Sequence, residues 1–471
     1  MQTETGAEMS RRVSRALWTA MSAAMSAAIM AAAVSHATAA PNAAAAPAPV
    51  PITDASQMVR AEGARWVSAD GKPLTLRGAN LGSWLINEFW MMGQGSKGVD
   101  DQCKLEAVLD RRFGYPERER LMKLFRDNWM REQDWDRLAA FGVNLVRVPF
   151  IHTVVEDEKN PGQLRPDAWH YLDWAIAQAE KRGIYVILDL HGAAGSQGWE
   201  HHSGCAGRNQ FWSVPAYQER TAWLWQQVAG RYRDRPSVAG YSLLNEPWGA
   251  DSKTMAAAIE TLYAAVRKVD PNHVLILPGH VKDDIQAYGN PRERGMRNVA
   301  FEMHPYPGHF GWGKPTRAVH RDWLRCTGKG SGNGASTVCA WDRRIRALDT
   351  PFYLGEIQPW AGLGQELGGQ IARASFDTYA KLGWAATAWS YKYVSNKGGH
   401  GKGTWGMVTN AAGEQVPALD FNTASLEQIE ALFRQFGSLR YEPHGPLLRW
   451  MTSPQAPDPF ATARRKDRAG P

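Results

Sequence analysis

Between Arg65 and Tyr393, short runs of apolar and β-branched residues alternate with longer stretches in which apolar positions recur every three or four residues. The short runs read as buried strands and the longer stretches as amphipathic helices laid over them. Eight runs qualify as strands, at 74–80, 143–149, 184–190, 239–245, 273–278, 299–303, 352–355 and 385–390. Helices are predicted at 117–128, 167–182, 216–232, 253–269 and 365–382, several of them stopping near a glycine. Such alternation fits a parallel sheet covered by helices, either open or closed. The count of eight and the polar residues gathered at C-terminal strand ends favour closure. The fold class is therefore α/β, a (β/α)8 TIM barrel in one domain, with 403–408 and a helix near 425–436 flanking it in a short C-terminal extension.

Outside the alternation the pattern changes. Arg11, Arg12 and Arg15 precede an Ala/Met-rich stretch from Ala16 to Val34 and the small-residue run 37–40, the layout of an export signal over residues 1–40. Ser10-Arg11-Arg12 resembles the start of a twin-arginine signal. Residues 41–60, rich in Pro and Ala at their start, read as a linker, 61–450 as the barrel domain, and 451–471 as a flexible charged tail. A secreted or periplasmic location follows, with no stable membrane insertion once the signal is cleaved, and a monomer is expected. The net charge of +7 includes basic clusters at the two ends, Arg11, Arg12 and Arg15 and then Arg464, Arg465, Lys466 and Arg468, and no basic run interleaved with aromatics marks a nucleic-acid surface.

Four cysteines in an exported chain point to two disulfides. Cys326 and Cys339 flank the glycine-rich segment 328–334 and are expected to close it, and Cys103 with Cys205 follows by elimination. No Cys-x-x-Cys spacing accompanies them to suggest zinc.

Read in order, the strand-end residues are Asn80, Arg147, His191, Asn245 with Glu246, His304 with Tyr306, Glu356 and Trp389. Side chains at the C-terminal mouth of a barrel converge on one site however far apart they are in sequence. Two of them are acids, from strands four and seven, and glycoside cleavage needs a protonated carboxyl at the leaving oxygen and a second carboxyl at the anomeric carbon. Glu246 is assigned as acid/base, with Asn245 beside it to hold a substrate hydroxyl and Pro247 turning the chain, and Glu356 is assigned as nucleophile, after a glycine that allows close approach. Tyr306 is placed to orient Glu356, and His304 to bond the substrate or the acid/base. A cation at the position of Arg147 is too costly to bury unpaired, and Glu356 is its natural partner. His191 and Trp389 complete the ring, the indole as a floor for the sugar, and the chain's 21 Trp supply further platforms of that kind.

This chemistry needs no cofactor. A metal centre built from His191, His201, His202, His304 and His309 competes weakly, because His201 and His202 are adjacent rather than at ligand spacing. The expected partner is an oligo- or polysaccharide. A glycan-binding barrel without turnover would lack one of the two acids, whereas a transglycosylase would carry the same set.

In its order, the set Arg147, His191, Asn245-Glu246, His304-x-Tyr306, Glu356 and Trp389 resembles glycoside hydrolase family 5 of clan A, over roughly 65–393. The resemblance implies retaining cleavage of a β-linked glucan, β-1,3 or β-1,4, with mannan- and glycolipid-active relatives sharing the ring. Residues 77–84 (RGANLGSW) and 189–197 (DLHGAAGSQ) resemble the exo-β-1,3-glucanase branch, where Glu88 echoes an acid implied to bind the terminal sugar. Ser83 and Ala194 replace a Gly and a Pro of that branch, and Ser242 stands where an acid often precedes Leu-Leu-Asn-Glu-Pro. The insertion 199–211, carrying Glu200, His201, His202 and Arg208, is expected to reshape the non-reducing-end subsites that the resemblance implies.

Overall fold

The computed structural model describes residues 50–95, 98–247, 249–279, 282–327 and 337–461. The expected export segment and the glycine-rich segment at 328–334 lie outside them. Eight parallel strands close a barrel: β1 (Arg77–Asn80), β2 (Leu145–Ile151), β3 (Tyr185–Gly192), β4 (Val238–Ser242), β5 (Val274–Pro278), β6 (Val299–Met303), β7 (Phe352–Ile357) and β8 (Ala385–Ala388). Each pairs in parallel with the next, and β8 returns to β1.

The interior explains how the mouth is built. Leu145, Ile187, Ala239, Ile276, Ala300 and Tyr353 belong to one buried apolar cluster that also takes in Trp66 and Val59. The latter two come from a hairpin, Val59–Glu62 and Arg65–Ser68, that packs with the N-terminal part of the barrel. Trp66 donates its indole N–H to the Phe352 carbonyl at 3.0 Å. Side chains alternate along a strand, so two residues beyond the apolar layer the same face recurs. Two beyond Leu145, Ile187 and Ala300 stand Arg147, Asp189 and Glu302, all buried. The barrel is thus filled by hydrocarbon below and by a polar layer at its C-terminal mouth.

Several boundaries differ from those expected. Strand β4 ends at Ser242 rather than 245, and Leu243 to Asn245 continue buried but outside the ladder. Strands β3 and β7 run on to Gly192 and Ile357. The linker expected over 41–60 ends earlier: Ile52, Met58 and Val59 are buried, and Ile52 N–H donates to the Glu180 carbonyl at 3.2 Å. These apolar residues join the domain because they cover the barrel's N-terminal end. At the other end the tail expected from 451 begins later, since the helix Gly445–Thr452 buries Met451 and packs on the helix Gln365–Leu382. There Gly369 is required, because a Cβ on it would stand 2.7 Å from the Pro446 backbone. Helices Gln102–Phe113, Glu132–Ala140, Arg317–Arg325 and Val338–Ala347 were not expected. Both disulfides form as expected, with Cα separations of 5.1 Å for Cys103–Cys205 and 6.0 Å for Cys326–Cys339.

Candidate active site

Arg147 is the hub. Its fully buried guanidinium donates from Nη1 to Glu356 Oε1 at 2.9 Å and Asn80 Oδ1 at 3.1 Å, and from Nη2 to Asn245 Oδ1 at 2.7 Å. Asp189 Oδ1 lies 2.9 Å from Nη2 and Glu302 Oε1 lies 3.2 Å from Nε. Burial works against the charge, but Asp189, Glu302 and Glu356 raise the guanidinium above its usual range, so it stays a cation. Burial likewise opposes ionisation of Asp189, and Arg147 and His191 still hold it below the usual carboxylate range.

These contacts fix proton positions around the ring. His191 Nδ1–H donates to Asp189 Oδ2 at 2.7 Å, which leaves its Nε2 to accept from Asn245 Nδ2 at 3.3 Å. The His191 ring stacks on Trp389 with centroids 5.4 Å apart and planes 13° apart, and the Trp389–Ser390 peptide is cis. Asn80 Nδ2 donates to the Gly355 and Ala388 carbonyls, joining the ends of β7 and β8.

Glu356 receives the Tyr306 hydroxyl on Oε2 and Arg147 on Oε1, with His304 Nδ1 3.6 Å away. Burial pushes its carboxyl above the usual range, while His304 and Arg147 pull it back and Glu246 adds to the rise. Glu246 sits at φ +36°, in the left-handed region that non-glycine residues rarely occupy, and Pro247 follows. Its Oε1 accepts from His304 Nδ1 at 2.8 Å, and its Oε2 lies 3.2 Å from His202 Nε2. His304 Nε2 donates in turn to Glu302 Oε1 at 3.0 Å. Burial disfavours its charge, yet Glu356, Glu246 and Glu302 raise His304 to about 10, so both ring nitrogens carry protons at neutral pH.

One oxygen of Glu246, one of Glu356 and a His304 nitrogen lie within 4.8 Å of one another. That spacing could face a cation, but an imidazolium has no free lone pair, and the surrounding acids favour the proton. All the strand-end residues named from sequence gather here. Those that sequence reasoning missed lie beneath them: Asp189, Glu302 and Ser242, whose Oγ is 2.6 Å from Glu302 Oε2 and 3.0 Å from Asp189 Oδ1. Ser242 thus bridges a carboxylate of β3 and one of β6.

Glu88 is buried, accepts from the Trp90 indole at 2.5 Å, and lies 3.4 Å from His201 Nε2. Burial opposes its charge most strongly, and His201, with His191 and His202, together hold the carboxyl below the usual range. Ser83 takes φ +60°, in the left-handed region, and its hydroxyl accepts from the Glu88 N–H at 3.1 Å. Beyond Trp90, Trp405 packs against Trp90, Tyr306 and Phe310, the last of these 60% exposed.

A closed eight-stranded barrel with paired carboxyl groups at its C-terminal mouth defines the class, a barrel of the glycosyl-hydrolase type. The model of the family described as cellulase (glycosyl hydrolase family 5) matches residues 113–393, and the chain belongs to glycosyl hydrolase family 5. It is 35% identical over 251 residues to a beta-xylosidase of Phanerodontia chrysosporium, a match covering 53% of this chain and 52% of that one. It is 30% identical over 226 residues to a probable glucan 1,3-beta-glucosidase A of Aspergillus niger, covering 46% and 53% respectively. The chain thus spans about half the length of these curated relatives. Rutinosidase from Aspergillus niger shares the fold at a TM-score of 0.54 and 18% identity, over 73% of this chain and 93% of that one.

Proposed function

We propose that the chain is a retaining β-glycosidase that releases terminal sugars from β-linked glucan, with Glu246 as acid/base and Glu356 as nucleophile. The observation that carries the mechanism is the approach of the two carboxyl groups within 4.8 Å. Retaining enzymes hold them about 5–5.5 Å apart, whereas an inverting enzyme needs a wider gap to seat water. Glu356, charge-paired with Arg147 and aligned by Tyr306, attacks the anomeric carbon while Glu246 gives its proton to the glycosidic oxygen. Glu246 then takes a proton from the water that breaks the glycosyl-enzyme bond.

Terminal action is supported by Glu88, whose buried carboxylate, flanked by Trp90 and His201, suits the hydroxyls of a chain end. Glucan is supported by the resemblance around Asn80 and His191. The exposed Phe310 beside Trp405 offers a platform for an aglycone or an acceptor sugar, which keeps transglycosylation as a second outcome. The basic, small-residue-rich N-terminus and the two disulfides support export and a secreted or periplasmic location.

The test is a panel of β-1,3- and β-1,4-glucans, mannan and aryl β-glucosides and β-xylosides, with NMR following the first-formed anomer. The expected result is a β-anomer released from glucan ends, and an α-anomer as first product would sink the mechanism. Glu246→Ala is expected to lose about 10²- to 10⁴-fold on a substrate with a poor leaving group. Azide is expected to restore turnover of an activated aryl glycoside, giving the β-glycosyl azide, because a small anion needs no base.

A further inference from the structure

Glu246 stands on a stretch of chain that the sheet no longer holds. Strand β4 ends at Ser242, so the buried peptides between Leu243 and Glu246 need partners of their own. Leu243 N–H donates to the Ile276 carbonyl at 3.2 Å, and Asn245 N–H to the Leu190 carbonyl at 3.0 Å. The Trp225 indole N–H donates to the Leu243 carbonyl at 2.9 Å. The Asn245 carbonyl is met by a side chain, with Gln197 Nε2 donating to it at 2.9 Å. That carbonyl belongs to the peptide that ends at the Glu246 nitrogen, the bond beside it being the one twisted to φ +36°.

Gln197 is fully buried, and its neighbours allow its amide one orientation. Nε2 also donates to the His191 carbonyl at 2.7 Å, while Oε1 accepts from the Ala193 N–H at 3.0 Å. Two carbonyls can only accept and an N–H can only donate, so the amide cannot be turned over. The side chain therefore braces the end of β3 against the peptide that precedes Glu246. Its own turn holds it there. Ser196 takes φ +61° and Gly195 φ +78°, and a Cβ on Gly195 would stand 2.3 Å from Tyr217 Cδ2. Gln210 N–H donates to the Gly195 carbonyl at 2.8 Å, and the Trp212 indole N–H to the Gln197 carbonyl at 2.9 Å.

We propose that Gln197 is a positioning residue for the acid/base. By fixing the plane of the Asn245–Glu246 peptide, it keeps Glu246 in the left-handed conformation from which its carboxyl meets the glycosidic oxygen. Without the amide donor that peptide turns, φ at Glu246 relaxes toward the negative values that non-glycine residues prefer, and the carboxyl leaves its 2.8 Å contact with His304 Nδ1. A turn of one peptide plane leaves the Asn245 side chain on Arg147, and Glu356 under Arg147 and Tyr306. The proton donor is thus displaced while the nucleophile stays. The inference rests on Glu246 being the acid/base.

Gln197→Met keeps length and removes the amide donor. Measured as kcat/KM, a phenyl β-glycoside, whose oxygen needs the proton, should lose about 30-fold. A dinitrophenyl β-glycoside, which leaves without protonation, should lose about threefold or less. The ratio of the two losses does not depend on how much of the variant is folded. Gln197→Glu, which keeps the shape and puts an acceptor where the donor was, should split the substrates in the same direction if the methionine variant does not fold. In a Glu246→Ala background, Gln197→Met should cost the phenyl glycoside about twofold or less, because the group it positions is gone. Equal losses on both leaving groups, or a full loss added to that of Glu246→Ala, overturn the role, since a residue that only stiffens the barrel would act that way. Azide rescue of Glu246→Ala separates the layers. Failed rescue removes the acid/base assignment itself, whereas rescue with unsplit losses removes only Gln197.

Discussion

Glu356→Gln should lower kcat/KM on an aryl β-glucoside by about 10⁴-fold or more, roughly 5.5 kcal/mol of transition-state stabilisation. The amide cannot form the glycosyl-enzyme, and it leaves the charge of Arg147 answered only by Asp189 and Glu302. The replacement is nearly isosteric, so the fold should persist, with circular dichroism and substrate binding close to wild type. A fluorinated glycoside that traps the intermediate should label wild type on the peptide containing Glu356 and leave the variant unlabelled. A variant that hydrolyses at the wild-type rate, or a label found elsewhere, would refute the nucleophile assignment.

Arg147→Met should be the most destabilising single change in the site. It keeps volume and removes the cation shared by Asp189, Glu302 and Glu356, leaving acids that solvent does not reach. Breaking a buried pair from one side costs about 3–5 kcal/mol, because the abandoned charge stays buried. The midpoint of urea unfolding should fall with little change in slope. Arg147→Lys should recover part of the stability but little activity, since a point charge cannot reproduce the guanidinium fork that bonds Glu356, Asn80 and Asn245 at once. A methionine variant as stable as wild type would show that the acids beneath the ring share protons among themselves and do not need the cation.

The barrel and its ring were legible because both are written in short range. A residue that can meet a sugar at the end of an apolar run marks a strand mouth, and seven such ends name Asn80, Arg147, His191, Glu246, His304, Glu356 and Trp389 without long-distance information. The polar layer beneath was less visible. Asp189 and Glu302 sit inside buried strands, where a carboxylate among Ile, Leu, Phe and Met is itself a signal of a buried partner, and the alternation places both on the face of the apolar filling. Ser242 gave no such signal, since its meaning lies in the acid it does not carry. The approach of His202 to Glu246 was not legible at all. It depends on a cross-link between positions 102 residues apart and on a glycine wedged against Ile151, neither of which spacing alone converts into a direction. The missed ends of the domain have a plainer cause: Ile52 directly follows a Pro/Ala-rich stretch and Met451 directly precedes a Pro-rich, charged one, and only the surface they cover identifies them as core.

Gly355 immediately precedes the proposed nucleophile, and a Cβ there would stand 1.9 Å from Glu302 Oε1 and 2.6 Å from His304 Nε2. The absence of a side chain at 355 and the carboxylate at 302 therefore constrain each other. Substitutions at the two positions would be strongly epistatic: alanine at 355 is admissible only in a background where the 302 side chain has already shortened, and that background has already let His304 go. The historical order in which such a lineage could exchange these residues is thereby restricted, with the glycine the last of them free to drift.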